Sequence, residues 1–274
     1  MKNKANYLLL LPGLILLGLF LFVPLFSTIF QTIRGKEGLT LVKYFDFFKD
    51  SYYISIYLRT LKLALITTLI AVMLGFPTAY YISRTNKKVR GLYIMLAVFP
   101  LLTSSVVRSF SWMVILGRNG IVNTILLNLN IINEPLKLLY NEFAIVVGLV
   151  YLFLPLMIMS LVGVMENIDN DLMEAAESLG ASRLKAFIKV IFPLSVPGLI
   201  VGSVLVFTGS LTAYTTPQLL GGSNAKVLST LVYQNAMSLF DWDTASVLAT
   251  IMILTTLIVT TIINKLSGKL SGKR

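Results

Sequence analysis

Neither cysteine nor histidine occurs anywhere in the 274 residues. Without cysteine there is no disulfide framework, no thiolate metal site and no thiol nucleophile. Without histidine the commonest metal ligand is gone, along with the side chain that titrates near neutral pH. Charge is scarce too. Asp, Glu, Lys and Arg make up 13% of the chain, against about 25% in a soluble domain. Hydrophobic residues make up 56%, and mean hydropathy is +0.83. Most of this fold is therefore surrounded by hydrocarbon. Acids are outnumbered by bases, 12 to 23, for a net charge of +11. In a chain this apolar, that excess points to membrane topology, with Lys and Arg gathered on the cytoplasmic side, and not to nucleic acid. A Gly-x-x-x-x-Gly-Lys-Ser/Thr loop is missing as well, so the chain has no phosphate cradle of that kind.

What is present is a set of long apolar runs. A helix needs about 20 residues to cross a bilayer core. Six runs qualify, at 7–30, 61–82, 92–116, 142–164, 196–219 and 245–265. They are continuous and do not alternate in polarity, so they read as helices and not as barrel strands. The fold class is all-α integral membrane. Four basic clusters fall on one side of such a chain: Lys2 and Lys4; Arg84, Lys87, Lys88 and Arg90; Arg183, Lys185 and Lys189; Lys265, Lys269, Lys273 and Arg274. Both termini are then expected in the cytoplasm. The first run is expected to be retained: it exceeds an ordinary signal-peptide core, and no small-x-small cleavage site follows. Pro12, Pro24, Pro77, Pro100, Pro155, Pro197 and Pro217 lie within the runs. Each frees a carbonyl, so they are expected to face protein or a cavity.

The connection at 165–194 is too long and too patterned for a simple turn. Glu166, Asp169, Asp171, Glu174 and Glu177 crowd its first half. Asp171 with Glu174 reads as a capping-box start, and Gly180 as a left-handed stop. Leu172, Ala175, Ala176 and Leu179 repeat at i, i+3, i+4 and i+7, which makes one apolar face of a two-turn helix. Ser182 then caps a second helix bearing Leu184, Phe187, Ile188 and Ile191, which Pro193 is expected to end. Two turns are unstable alone in water, so the first helix must dock. Surface-lying membrane helices are rich in Lys and Arg, whereas 166–182 has five acids and no base before Ser182. A groove on a soluble partner fits better.

Glu174-Ala175-Ala176, three residues, Gly180, nine residues and Val190-Ile191-Phe192-Pro193 resemble the EAA loop of the permease subunits of bacterial ATP-binding-cassette importers. That family's usual ending is Ile-x-Leu-Pro, and Val190 and Phe192 are conservative departures. The resemblance covers roughly 60–265. It implies a six-transmembrane-helix type I importer bundle with cytoplasmic coupling helices in the bacterial plasma (inner) membrane. Residues 1–59 would be an N-terminal helix and first outer loop, and 266–274 a basic cytoplasmic tail. It also implies three partners: a dimer of ABC ATPase subunits, a second permease (a sister chain), and an extracytoplasmic solute-binding protein. Leu172, Glu174, Ala175, Ala176, Leu179, Gly180 and Pro193 would carry the coupling. No catalytic residue, cofactor or metal is expected in the chain itself. Phe99-Pro100-Leu101-Leu102, Val107-Arg108-Ser109, Trp112, Gly120-Ile121-Val122-Asn123, the stretch from Tyr214 through Gly222, and Asp241-Trp242 are similar to the spermidine/putrescine branch. That branch also includes relatives for other small solutes.

Other residues keep two readings each. Arg108, inside the third run, either pairs or caps a carbonyl, or belongs to a pathway or gate. An arginine in the path would repel a cationic polyamine. Tyr214, Thr215 and Thr216 either line an outer gate, where an aromatic face holds an alkylammonium, or simply end a helix. Asp241 and Asp243 either meet a binding protein or are solvated. An ion-coupled transporter would place ionisable groups deep in its spans, and only Arg108 does so. An intramembrane enzyme would need catalytic groups that this composition lacks.

Overall fold

The computed structural model describes residues 11–35, 38–169 and 171–270, the last five by backbone alone. Lys2, Lys4, Tyr7, Lys36, Lys273 and Arg274 lie outside the described residues. Six helical stretches are long and apolar enough to span a membrane, the third of them at 105–128, made of two short helices, and not at the 92–116 expected above. The helices are α1 Leu11–Ile33, α2 Val42–Lys49, α3 Ser51–Arg84, α4 Lys87–Leu102, α5 Ser105–Leu116, α6 Ile121–Asn128, α7 Glu142–Met165, α8 Asp171–Ser178, α9 Arg183–Thr212, α10 Thr215–Gly221, α11 Leu228–Tyr233 and α12 Trp242–Leu270. A two-residue antiparallel ladder, β1 Arg34–Gly35 with β2 Gly38–Leu39, follows α1.

The chain forms two compact units. One gathers the residues up to Ser55 with Leu231–Leu254. Within it, Asp241 caps α12 by accepting from the Thr244 backbone N–H at 3.0 Å. Those Thr244 bonds hold the Asp241 carboxyl below the usual range. Its share of stability is therefore kept at neutral pH and lost only as pH falls through that lowered value. Asp243 pairs with Lys43 at 3.2 Å. Both acids thus have a local structural role.

The second unit runs from Ile56 to Thr230 and resumes at Thr255. Its core is built on α7, the most buried span, with 56% of its apolar window inside the protein. Asn141 caps α7 by accepting from Ala144 N at 2.9 Å. The closest partner of α7 is α9, and the reason is glycine. A Cβ on Gly198 would lie 2.7 Å from the Ser160 carbonyl oxygen, and one on Gly202 2.6 Å from Met157 Sδ, while one on Gly209 would strike the Phe153 ring. Small residues allow such approach where hydrophobic burial drives little between membrane helices. Gly198→Ala is therefore expected to destabilise the protein by about 1–3 kcal/mol, because a backbone oxygen cannot rotate away. Gly202→Ala, facing a flexible Met, should cost less. Gly163→Ala meets nothing within 4 Å and should be neutral. Thermal unfolding in detergent of the three variants checks this order.

The structure corrects four local expectations. The run at 92–116 is not one helix. Pro100 lacks a donor, α4 stops at Leu102, and Thr103 and Ser104 are extended before α5 begins. The run at 196–219 also breaks, at Ala213 (ψ 129°), before α10 restarts the helix. Pro193 does not end a helix. A π turn at Phe187–Ile191 carries α9 unbroken from Arg183 through the proline to Thr212, and the longer register absorbs the missing donor. Finally, Asp171 is the first residue of α8, and Asp169 Oδ1 accepts from its N–H at 3.2 Å. Of the prolines, Pro155 and Pro217 are buried as expected and Pro100 is half-buried, whereas Pro12, Pro24, Pro77 and Pro197 are exposed on this chain.

Candidate functional site

Three features carry chemistry, all within the second unit. The first is α8 and what holds it. Gly180 has φ +86°, a left-handed conformation that glycine adopts without strain. Gly180 N–H donates to Glu177 O at 2.9 Å and Ala181 N–H to Ala176 O at 3.1 Å. Together these form a Schellman ending. Ser182 Oγ accepts from Lys185 N at 3.4 Å and caps α9. The anticipated apolar face of α8 is divided. Ala176 and Met173 turn towards the core, and Met173 packs there beside Phe187. Leu172, Ala175 and Leu179 face outward, Leu179 at 89% exposure. Leu184 and Ile188 at the start of α9 are also exposed, at 70% and 54%. Leu179 next to solvent is costly to leave uncovered. Glu174 and Glu177 are exposed alongside.

Two arginines from the end of α3 and the start of α4 tie this segment down. Arg84 Nη1 donates to Ile168 O at 2.7 Å. Arg90 Nη1 meets Glu166 Oε2 at 3.0 Å, and its Nη2 donates to Ser83 O and Thr85 O. Tyr80 lies under Arg84, bonds Met173 Sδ through its hydroxyl and packs edge-on against Phe187. A polar cavity of about 470 Å³ opens between these loops. The four-membered basic cluster Arg84–Arg90 and the acidic segment 166–169 therefore share one end of the unit.

The second feature is Arg108. It is 8% exposed, and its Nη2 donates to Thr103 O at 2.7 Å. That carbonyl is freed by the α4–α5 break, so the guanidinium caps it. Nε and Nη1 are buried with no hydrogen-bond partner among the described residues. Arg108's helix α5 packs on α10, which carries Thr215 and Thr216. Thr216 is buried, and a Cβ on Gly148 of α7 would meet its methyl at 2.6 Å. Tyr214 and Thr215 are half-buried at the helix restart. Packing accounts for Thr216 in this chain.

The third feature escaped the sequence reading. Glu142, the first residue of α7, accepts from Lys62 Nζ at 2.7 Å and Arg59 Nε at 3.2 Å. Arg59 also donates to Lys226 O at 3.3 Å. Lys62 and Glu142 stand at one end of a groove of about 640 Å³ walled by α3, α5 and α7. The partners are 80 residues apart, which no local pattern reveals. Asn123, quoted above only for its resemblance, is fully buried. It ties together the turns on either side of α6, its Nδ2 donating to Gly117 O and Leu136 O and its Oδ1 accepting from Leu136 N.

The chain belongs to the family described as binding-protein-dependent transport system inner membrane component, whose profile matches residues 71–270. It is a multi-pass inner-membrane permease component of that class. The spermidine/putrescine transport system permease protein PotB of Escherichia coli (strain K12) is 33% identical over 231 residues, covering 82% of this chain and 84% of that protein. PotB of Haemophilus influenzae is 34% identical over 208 residues, covering 76% and 72%. A chain of the bacterial alginate ABC transporter, solved with its alginate pentasaccharide-bound periplasmic protein, matches with a TM-score of 0.80 at 19% identity, covering 99% and 96%. At that identity the likeness is one of fold.

Proposed function

We propose that the chain is the permease subunit of an ATP-driven importer for small aliphatic polyamines of the spermidine/putrescine type. The importer domain is assigned to 60–265, preceded by an N-terminal helix and outer loop at 1–59 and followed by a cytoplasmic tail at 266–274. Both termini and the 166–182 segment face the cytoplasm. A solute-binding protein delivers substrate from outside. Hydrolysis belongs to a pair of ATPase subunits inside, and a sister permease completes the pathway. The observation that carries this reading is α8, with Leu172, Ala175 and Leu179 exposed beside Glu174 and Glu177 on a rigidly capped two-turn helix. A helix so short needs a partner to cover it, and an ATPase cleft with a basic rim suits its charge. The kinship to polyamine permeases supports the substrate class. ATP binding closes the ATPase pair, α8 moves with it, and the paired bundles open outward to receive substrate. Hydrolysis resets them. Arg108, folded back on Thr103, is a structural cap in this scheme and its charge is kept off the path.

The test has two parts. The tagged chain is purified from its native membrane in mild detergent and its companions are identified by mass spectrometry. Radiolabelled spermidine and putrescine uptake is then measured in proteoliposomes holding that complex. A copurifying ATPase, a second permease and ATP-dependent uptake are expected. A chain that purifies alone, or a complex that imports neither polyamine, overturns the corresponding half of the proposal.

A further inference from the structure

The break between α4 and α5 is held by an arginine that is itself poorly satisfied. Thr103 and Ser104 are extended there, with ψ of 147° and 135°. Thr103 Oγ1 donates to Pro100 O at 2.9 Å, and Arg108 Nη2 donates to Thr103 O at 2.7 Å. Among the described residues the Arg108 bond is the one side-chain hydrogen bond across the break. The rest of the guanidinium is stranded. Arg108 is 8% exposed, and its Nε and Nη1 are buried without a partner among the described residues. Unpaired donors on a buried cation are costly. The first turn of α5 is incomplete too. The Ser104 side chain does not cap it, and Ser105, Val106 and Val107 N–H donate to no backbone carbonyl among the described residues. A continuous helix through the apolar run 92–116 would place those three N–H groups on Leu101, Leu102 and Thr103 O. Thr103 O would then no longer need Arg108.

The two sides of the break follow different neighbours. α4 has no buried residue. It rests on α7 through Tyr93, Ile94 and Ala97, and Arg90 ties its start to Glu166 at the root of α8. α5 packs instead on α10, with Trp112 edge-on to Tyr151 at 5.6 Å. We infer that the Thr103–Ser104 break is a hinge with two arrangements, bent and helical, and that Arg108 is the latch of the bent one. The inference rests on the ATP-driven importer reading above. A push on α8 swings α4 while α10 keeps α5 in place. Arg108 lets go of Thr103 O, and backbone bonds close across the break instead. Neither arrangement satisfies every group. The bent form strands the first N–H groups of α5, and the helical form takes the last partner from the guanidinium. That balance lets a nucleotide-driven push choose between them.

The experiment uses the whole importer in nanodiscs, with the companion subunits cleared of cysteine. The chain itself lacks cysteine, so Leu92→Cys and Val114→Cys, both at exposed positions, place one spin label on each side of the break. Double electron–electron resonance reads their separation without nucleotide and with ATP on a hydrolysis-deficient ATPase. Continuous helix from 92 to 114 puts the two Cα atoms about 33 Å apart. In wild type that separation is expected in one nucleotide state and a different, bent one in the other. Arg108→Met is expected to raise the helical population at least fivefold in the state where wild type is bent. Ser104→Pro is expected to do the reverse. Proline's φ near −65° suits Ser104 at −56° and favours an extended Thr103. The bent form is then locked, with one separation in both states, wild-type melting, and uptake with intact ATPase down tenfold or more. One separation in both states of a transporting wild type overturns the hinge. Unchanged populations in Arg108→Met overturn the latch, even where melting or uptake falls, because a plain cap or a pathway residue would do that much. If Arg108→Met does not assemble, Ser104→Pro decides, and wild-type uptake by it overturns the proposal. Absent ATP-dependent uptake in wild type overturns the importer reading instead, before any variant is compared.

Discussion

Ala175→Arg is expected to abolish uptake, by roughly 100-fold or more, in a protein that folds and inserts like wild type. Ala175 sits on α8 with its side chain outward between Leu172 and Leu179. Arg is a good helix former, and nothing inside the chain is displaced, so stability should hardly change. What changes is the face proposed to dock on the ATPase. A long cation replaces a methyl where a partner's surface must come close. Losing one central contact at an interface costs about 3 kcal/mol, which is about 100-fold in affinity. Gly180→Pro should reach the same loss by another route. Proline requires φ near −65°, whereas Gly180 stands at +86° and donates to Glu177 O. The Schellman ending is lost and α8 frays. Limited trypsin digestion separates the two routes: cleavage at Arg183 should accelerate in Gly180→Pro and stay at the wild-type rate in Ala175→Arg. ATPase copurification should fail in both. Normal uptake by Ala175→Arg would exclude the α8 surface from energy transmission.

The membrane spans were readable because hydrocarbon leaves the backbone little choice. A continuous apolar run must be helical, and α7 begins at Glu142 as its hydropathy and the Asn141 cap dictate. The stop at Gly180 and the cap at Ser182 were readable for a similar reason, since each depends on bonds within a few residues. The breaks were not. Pro100 is tolerated within α4, and the helix ends two residues later. The freed Thr103 carbonyl is answered by Arg108 five residues on, one of the two readings the sequence left open for that arginine. Pro193 misled in the opposite direction, because a π turn takes up its missing donor and α9 continues.

The site was legible as a motif and illegible as a surface. Periodicity put Ala176 with Leu172, Ala175 and Leu179. Once α8 packs on α3 and α9, the core claims Met173 and Ala176 and leaves the other three outside. Phe187 and Ile191 are likewise drawn inward, while Leu184 and Ile188 stay exposed. A period of 3.6 marks which residues share a stripe, and it does not say where the stripe's edge falls. Glu142 illustrates the deeper limit. It stands at a span boundary where acids are ordinary, and only folding brings Arg59 and Lys62 to it.

Arg90→Met should uncouple the transporter without dissolving it. Arg90 reaches Glu166 at the root of the α8 segment and also the carbonyls of Ser83 and Thr85. Its neighbour Arg84 holds Ile168 O. These bonds join the α8 segment to the ends of α3 and α4, so a push on α8 is delivered to both helices together. Remove the guanidinium and α8 can still be gripped, because Leu172, Ala175 and Leu179 are untouched. The links that remain are the single Arg84 bond to Ile168 O and the contacts of Tyr80 with Met173 and Phe187, which hold less firmly than the three bonds of Arg90. The pair is partly open, with side-chain exposures of 19% and 39%, so its loss should lower stability by no more than about 1 kcal/mol. Uptake should nonetheless fall at least tenfold while the ATPase still copurifies and still hydrolyses ATP. The number of polyamines imported per ATP is the quantity to measure, in proteoliposomes with loaded binding protein. Exchanging the charges, Arg90→Glu with Glu166→Arg, should recover part of the ratio, since the ion pair returns although the bonds to Ser83 and Thr85 do not. An unchanged ratio in Arg90→Met would mean that α8 acts through Met173 and the Arg84 bond to Ile168 O, and the same measurement on Met173→Ala and Arg84→Met would then show the larger loss.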